Sequence, residues 1–446
     1  MATVYGLFKI KRHQAKVIRY FPPNDSVYLD STNLPIIFIN TEKSKIKKKN
    51  YITAKMTIVD NGNGNCNYAD TVAFPSQNFD YSGYIALRYR GTTSFSMSDK
   101  KPYAIRSIDK PLEEGGVIKK SKLLGMRKGK KWALLAPYSD RSLIRDAMTY
   151  ELAKNYMDFV PQTRFCEVVL NGVYMGVYIL SEQITADRLM IGKPNRKGKD
   201  VTGGYLFEID KRYKNKNESE DRLPDSLVLK SPKDEELTQE QRKYVLSTWN
   251  SLNKTLSSGS REDWLRLIDE LSFIDYMLCK EFAFDGDGYI VSTFLYKFND
   301  RIDHHFKMCI WDFNISYGNN NSIDYHRTDA WHYKRVSLSW WAHMMEDDEF
   351  RQNVKTRWNQ YRKGAYSWSH IEHVIDSLTN VLTIGGAEVR NSKAWKIWQR
   401  TDKEWQGPTY IWPNKYLSSS YTDEIDYLKG WIKERLNWMD EQLELE

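Results

Sequence analysis

The sequence predicts an α+β protein of two lobes, strand-rich in its N-terminal half and helical in its C-terminal half. Three observations carry this. Runs rich in Ile, Val, Tyr and Thr, bounded by turn residues, crowd the first 210 positions. Apolar residues recur at helical spacing beyond about residue 243. The two patterns are segregated rather than alternating, which is the order of an α+β architecture. At 446 residues the chain has room for two or three domains of roughly 150 residues each.

The elements follow in order. Leu34–Asn40, Tyr51–Val59 and Tyr84–Arg90 are predicted strands. Lys43–Lys49 reads as a solvated basic loop, and Asp60–Asn65 as a hairpin turn, because it lacks the spacing and closing Glu of a calcium loop. A helix is expected after Ser139, with Leu143, Ile144, Ala147, Met148 and Leu152 on one stripe. Asn171-Gly172 between Arg164–Leu170 and Val173–Leu180 is a strong hairpin signal. After a Lys/Gly-rich loop at 192–200, Gly204–Asp210 reads as a strand and the polar stretch 211–242 as a mobile excursion. Capping boxes at Ser260 and Ser272 open two helices, the second running from Phe273 to about Phe284. Short strands are expected at Ser292–Tyr296 and Lys307–Trp311, then helices near 341–363, 369–382 and 423–443. No internal repeat is visible.

Composition excludes several classes. With 41% apolar, 14% aromatic and 28% charged residues, the chain can bury a core, so it is neither disordered nor fibrous. The net charge of +8 is modest and its basic residues are scattered, which argues against nucleic-acid binding. Mean hydropathy is −0.65. No apolar run approaches the roughly 18 residues of a membrane span, so no transmembrane segment is expected. The four cysteines form no CxxC, which excludes zinc-ribbon and thioredoxin chemistry, and three of them sit in apolar stretches as small hydrophobes. The opening Met-Ala-Thr-Val shows no secretory leader, although a trimmed secreted protein would look the same.

Three stretches hold polar groups that folding alone does not require. Arg90-Gly91-Thr92-Thr93-Ser94, with Lys100, Lys101 and Arg106 following, pairs a glycine and hydroxyls with cations, the chemistry of a phosphate-holding loop. A plain Thr/Ser turn beside surface lysines would read the same way. Asp285-Gly286-Asp287-Gly288 sets two carboxylates at a helix C-terminus, where the helix dipole disfavours them unless a cation is near. Trp311-Asp312-Phe313-Asn314 ends an apolar strand with an acid between two aromatic rings, desolvated unless paired. A strand–turn–strand unit between Asp287 and Asp312 can bring both acids together, one to orient a hydroxyl and one to hold Mg²⁺ between phosphates.

These motifs resemble those of the CotH kinase-like family, named for a spore-coat protein H. The resemblance rests on RGTTSFSMSDKKPYAIR (Arg90–Arg106), LLGMRKGKKWALLAPYSDRSLIRDAMTYELA (Leu123–Ala153) and TRFCEVVLNGVYMGVYILSEQI (Thr163–Ile184). GGYLFEIDK (Gly203–Lys211), DGYIVSTFLYK (Asp287–Lys297) and IWDFNISYGN (Ile310–Asn319) complete it. It implies a divergent two-lobed protein-kinase-like fold with ATP between the lobes. The chain then divides into a β-rich segment at 1–82, an N-lobe-like nucleotide-binding part at 83–210 and a helical C-lobe at 211–446.

Carried over by residue, the resemblance makes Arg90, Gly91, Thr93 and Ser94 the phosphate-covering loop, with Lys101 pairing the phosphates and Arg106 beside it. Arg145 or Glu151 would face the site from the lobe-bridging helix, and Glu182 would lie at the hinge near adenine. Asp287 would be the catalytic aspartate and Asp312 the metal ligand. Ser292 and Asn314 stand where the family has an Asn and often an acid, and their oxygens can still ligate Mg²⁺. The implied activity is Mg²⁺- or Mn²⁺-dependent transfer from ATP to Ser/Thr of a secreted or surface protein. The alternative is an inactive surface module of the same family that binds glycan or protein, with tryptophans near Trp331–Trp341 and Trp395–Trp412 as stacking platforms. A metal-dependent hydrolase is disfavoured, because no HExxH is present and His304-His305 is isolated.

Overall fold

The computed structural model describes residues 22–192, 200–210, 227–320, 324–336, 340–399 and 418–444. The expected loop at 193–199, the excursion at 211–226, and Trp405 and Trp412 lie outside the described residues.

The N-terminal half builds a barrel. Its elements are β1 (Ser31–Thr32), β2 (Ile36–Asn40), β3 (Ile52–Val59), β4 (Asn67–Tyr68), β5 (Phe79–Tyr89), helix α1 (Thr93–Met97), β6 (Tyr103–Ser107), β7 (Trp132–Leu135), helix α2 (Arg145–Ala153), β8 (Thr163–Leu170) and β9 (Val173–Glu182). Seven strands close in the order β2-β3-β5-β6-β7-β9-β8, all antiparallel except the parallel β2–β8 seam. Alternation fills the interior with Ile37, Ile39, Met56, Ile58, Ile85, Leu87, Ile105, Trp132, Leu134, Val168 and Leu180, all buried. The hairpin at Asn171-Gly172 forms as expected, with φ of 52° and 82°. The expected boundary near residue 82 falls inside β5, because strands from both sides of it are needed to close the barrel.

The C-terminal half carries a second, four-stranded antiparallel sheet in the order β11-β10-β12-β13. Its strands are β10 (Tyr205–Ile209), β11 (Leu227–Ser231), β12 (Thr293–Lys297) and β13 (Lys307–Cys309). The helices of this half are α3 (Gln239–Ser258), α4 (Arg261–Leu265), α5 (Glu270–Ala283), α6 (Trp340–Met344), α7 (Asp348–Arg362), α8 (Trp368–Thr383), α9 (Ala387–Trp395) and α10 (Tyr421–Gln442), with α5 packed against β13 and α9 against β9 of the barrel. The α+β class and the strand-then-helix order are therefore present, with a closed barrel in the first half. Among the described residues no helix is long and apolar enough to cross a membrane.

Several boundaries differ for identifiable reasons. Residues 227–231 are a strand rather than part of an excursion, because Leu227 and Leu229 are buried against β10. Ser260 caps α4 with the expected box, but α5 is capped by Asp269, so Ser272 lies inside it and its Oγ accepts from Met308 N at 2.9 Å. The helix expected at 341–363 is broken between α6 and α7, where Asp347 accepts from Phe350 N at 2.8 Å and starts a new cap. The helix after Ser139 begins only at Arg145; Asp140 Oδ2 accepts from its N–H at 3.0 Å.

Helix α9 fixes the helical half to the outside of the barrel. Arg390 donates two hydrogen bonds, at 2.9 and 2.6 Å, to the fully buried Glu167 of β8. Asn391 Oδ1 accepts from Val177 N at 3.1 Å and from the buried Lys100 Nζ at 2.7 Å. Trp395 donates to Met175 O at 3.0 Å. Gly176, at φ 88°, permits this approach, since a Cβ there would lie 2.4 Å from Asn391 Oδ1. Arg390→Ala leaves the Glu167 carboxylate buried without its cation, held by the Tyr174 hydroxyl, and should cost about 3 kcal/mol in guanidinium unfolding. Adding Glu167→Gln should return most of that loss.

Candidate active site

The site forms where the chain leaves β13. Trp311 is buried, and Asp312 adopts φ 65°, a left-handed conformation that costs an Asp on the order of 1 kcal/mol. Phe284, Tyr289 and Ser292, between α5 and β12, and Tyr317 share positive φ. Such strain persists where surrounding contacts over-determine the backbone, and functional sites are where it concentrates.

Those contacts come from α2. Tyr150 Oη accepts from Asp312 N at 3.2 Å, and Asp146 Oδ1, one helical turn earlier, accepts from Phe313 N at 2.7 Å. From the turn before β12, Ser292 Oγ donates to Asp312 Oδ2 at 3.4 Å. From the last turn of α5, the fully buried Lys280 donates to Asp285 Oδ2 at 2.5 Å and to Trp311 O at 3.0 Å. Asp285 in turn accepts from Asp287 N at 3.3 Å. Arg90, at the end of β5, lies over the Trp311 ring at 5.3 Å.

Three carboxylates therefore act on one another, with Lys280 and Arg90 as their cations. Burial pushes the Asp312 carboxyl up; Asp285 adds to the shift, while Arg90, Lys280 and the Ser292 hydroxyl oppose it. Asp146 is pushed up to about 8, first by burial and then by Asp312, with the Phe313 N–H working against it and Asp140 and Asp285 adding to it. Burial alone would lower Lys280, yet its contact with Asp285 carries it upward. Arg90 is held down by burial, against attraction from Asp312, Asp146 and Glu208.

The structure brings some of the expected residues together and disperses others. Arg90, Ser292 and Asp312 share the site. Gly91 has φ 73° and no room for a side chain, since a Cβ would lie 2.0 Å from Ser94 Oγ. Thr93 opens α1, and its side chain lies outside the described residues. Lys101 donates to Phe95 O at 2.6 Å and Ser98 O at 2.5 Å, bracing that same loop, and burial lowers its pKa to about 8. Arg106 stacks on Tyr51 at 4.4 Å. Glu182 is fully buried, accepting from Arg127 Nε at 3.0 Å and Gln162 N at 3.0 Å. Asn314 donates to Ser139 Oγ at 3.2 Å. Asp287 stands partly exposed beside the buried Asp285.

The helix faces the site through Asp146. Arg145 is committed to Asp140 and Glu424, at 2.6 and 2.8 Å, and Glu151 pairs with Lys154 on the outside. Asp146, Tyr150 and Lys280 are the residues that sequence reasoning missed, whereas Asp285 was singled out as an acid in need of a cation, which Lys280 supplies. Two had a signal: Asp146 interrupts the apolar stripe of Ile144, Ala147 and Met148, and Lys280 lies five positions before Asp285 in an otherwise apolar helix face.

All donors here are carboxylates, a hydroxyl and an amide, so the set suits a hard divalent cation. Among the described residues no group of three His, Cys, Asp or Glu side chains has the arrangement of a protein-only metal cage. Mg²⁺ characteristically takes one or two carboxylates and completes its shell with water and phosphate, so Asp312 and Ser292 fit that mode.

Residues 87–439 match the model of the CotH kinase protein family, and the chain belongs to that family. The matched region contains every residue of the site. Among curated proteins the chain is similar to the inner spore coat protein H of Bacillus subtilis (strain 168), at 22% identity over 247 residues. That alignment covers 54% of this chain and 65% of the relative, so the chain spans less than two thirds of that protein's length.

The raised Asp146 carboxyl gives a pH signature. Its unfolded value is about 3.9, so between there and about 8 the folded chain holds a proton that the unfolded chain has lost. Stability should therefore fall as pH rises through that window. In EDTA, Asp146→Asn should keep the Phe313 hydrogen bond and melt above the wild type at pH 8. The advantage should vanish near pH 4.

Proposed function

We propose that this member of the CotH family is an atypical protein kinase, transferring phosphate from ATP to Ser or Thr of a secreted or surface protein. The barrel would act as the N-terminal lobe, the helical half as the C-terminal lobe, and the strained Asp312 would lie between them. The observation that carries the reading is the carboxylate excess at Asp312, Asp285 and Asp146. Three acids crowded against two cations, Lys280 and Arg90, leave one acid unmatched, and that excess favours a further cation.

Asp312 and Ser292 would hold Mg²⁺ or Mn²⁺, with Asp146 behind them fixing the turn through the Phe313 N–H. When bound, that ion would neutralise charge on the transferring phosphoryl group. Arg90, lying over the Trp311 ring, would offer donors to phosphate oxygens, and the Gly91 turn would bring backbone N–H groups close to them. Lys101 would hold that turn in shape from beneath, through Phe95 O and Ser98 O.

Asp287 would be the acid that meets an acceptor. Its partner Asp285 is sealed in the core and matched by Lys280, whereas Asp287 is reachable at the rim. It would take the proton of the acceptor hydroxyl as the oxygen–phosphorus bond forms and the bond to the departing ADP breaks.

Incubation with labelled ATP, a Ser-rich acceptor and either Mg²⁺ or Mn²⁺ should transfer label. Asp312→Ala and Asp287→Ala should each lower transfer by about a hundredfold or more. Failure to bind nucleotide or transfer label with either ion would overturn the kinase reading in favour of an inactive surface module. Of the tryptophans such a module would use, Trp340, Trp341 and Trp395 are buried, Trp331 and Trp398 are half-buried, and Trp405 and Trp412 lie outside the described residues.

A further inference from the structure

The turn that carries Asp287 is held from outside by a residue that the proposed chemistry does not use. Gly288, next to Asp287, is buried, and both of its backbone groups are engaged. Its N–H donates to Asp285 O at 2.9 Å, and its carbonyl lies 3.0 Å from Nε2 of His332. A carbonyl only accepts, so Nε2 carries the proton and Nδ1 of the neutral ring carries none. Gly288 is also wedged between two side chains: a Cβ there would lie 3.3 Å from Lys280 Cδ and 3.4 Å from His332 Cδ2. Lys280 grips one side of the turn through Asp285, and His332 closes the other. Asp287 itself donates its N–H to Asp285 Oδ1 at 3.3 Å, and its carbonyl accepts from Val291 N at 3.0 Å.

His332 is itself fixed. Its backbone N–H and that of Tyr333 donate to the two oxygens of Glu281, each at 2.8 Å, and the Tyr289 hydroxyl donates to the same carboxylate at 2.7 Å. Glu281, in the last turn of α5, is fully buried. Arg435 of α10 meets it at 3.4 Å and donates to Thr328 O and Ala330 O at 2.8 and 2.7 Å, which anchors the chain leading to His332. The imidazole packs among the rings of Phe284, Tyr289 and Tyr325, at centroid distances of 6.0, 5.4 and 5.2 Å. Its Nδ1 is buried without a hydrogen-bond partner among the described residues. A second proton would therefore be a buried unsatisfied donor, and the ring stays neutral. Burial pushes its pKa down to about 4, against Asp285 and the Gly288 carbonyl, with Lys280 and Arg335 adding to the fall. A phenylalanine in the same aromatic surroundings would strand no nitrogen; what the imidazole adds is one donor, aimed at the turn of Asp287.

We propose that His332 is a positioning residue for the transfer reaction: as a neutral Nε2–H donor it fixes the Gly288 carbonyl and thereby aims the Asp287 carboxylate at the acceptor hydroxyl. The assignment rests on the kinase reading and deepens it by naming what holds the base of that reaction. Its effect falls on kcat, because a misplacement of about 1 Å in a reacting group costs up to about a hundredfold in rate. Arg90 and the Gly91 turn belong to the barrel, so the KM for ATP should not move.

Two variants test this. His332→Phe keeps a ring among the aromatic contacts but removes the donor, and His332→Gln restores a donor near the place of Nε2. At saturating ATP, His332→Phe should lower kcat for label transfer between about tenfold and a hundredfold with the KM for ATP unchanged, and His332→Gln should recover most of it. Deuterium uptake over residues 285–291, read by mass spectrometry without ATP, should rise in His332→Phe and fall back in His332→Gln. A ring that only filled the core would move neither quantity in the Phe variant. Transfer by His332→Phe equal to that of the wild type, or unchanged uptake over 285–291, would overturn the proposal and leave the kinase reading standing. Wild-type protein that transfers no label overturns the kinase reading, and the role of His332 in transfer with it, whatever the uptake shows. If His332→Phe does not fold, nitrogen-15 NMR of the wild-type ring, assigned by its loss in His332→Gln, decides: a neutral ring with its proton on Nε2 at pH 7 is expected, and a proton on Nδ1 sinks the assignment.

Discussion

The local architecture depends on two hydrogen bonds from one helix face to one strained turn. Asp146 and Tyr150, a helical turn apart on α2, receive the N–H groups of Phe313 and Asp312. Without these acceptors, two buried backbone donors would be unsatisfied and the left-handed Asp312 would have little to hold it. Using a carboxylate as one acceptor carries a cost, because Asp146 brings an ionisable group into a region already holding Asp285 and Asp312. An amide would make the same bond without that repulsion. The acid at this position turns a structural contact into a feature with chemical consequence.

Rigidity is supplied elsewhere. Helix α9 grips the outer wall of the barrel through Glu167–Arg390, Asn391 and Trp395, while Arg145, Asp140 and Glu424 join α2 to the start of α10. Arg145 and Glu424 are fully buried in that triad, and Asp140 nearly so. Charges sequestered this way tolerate few alternative arrangements, since separation leaves each without solvent or partner. The barrel end that carries Arg90 and the turn that carries Asp312 are thus positioned by elements anchored on two sides.

The sequence made the longer elements legible where a local signal was strong. Asn171-Gly172 announced its hairpin, and the apolar stripe of Tyr421–Gln442 announced the last helix. Strands β6 and β7 escaped notice because they are five and four residues long and sit among lysines, so their apolar periodicity is too short to stand out. Barrel closure was illegible for another reason: the parallel seam of β2 with β8 joins segments some 130 residues apart, and no local pattern encodes it. In the site, Asp312 was readable as an acid ending an apolar strand, paired in the sequence with Asp287, and Ser292 only through the family resemblance. Asp146 was not, because its role arises from the carboxylate–Phe313 contact across 167 positions.

One residue links the acid-rich and base-rich ends. Glu208, on the central strand β10, is nearly buried; it pairs with Lys230 on one side and feels the charge of Arg90 on the other. Burial alone would favour its neutral form, yet both cations pull toward the carboxylate. As a carboxylate it offsets Lys230, which otherwise adds to the repulsion on Lys131, and it draws on the same Arg90 that Asp312 requires.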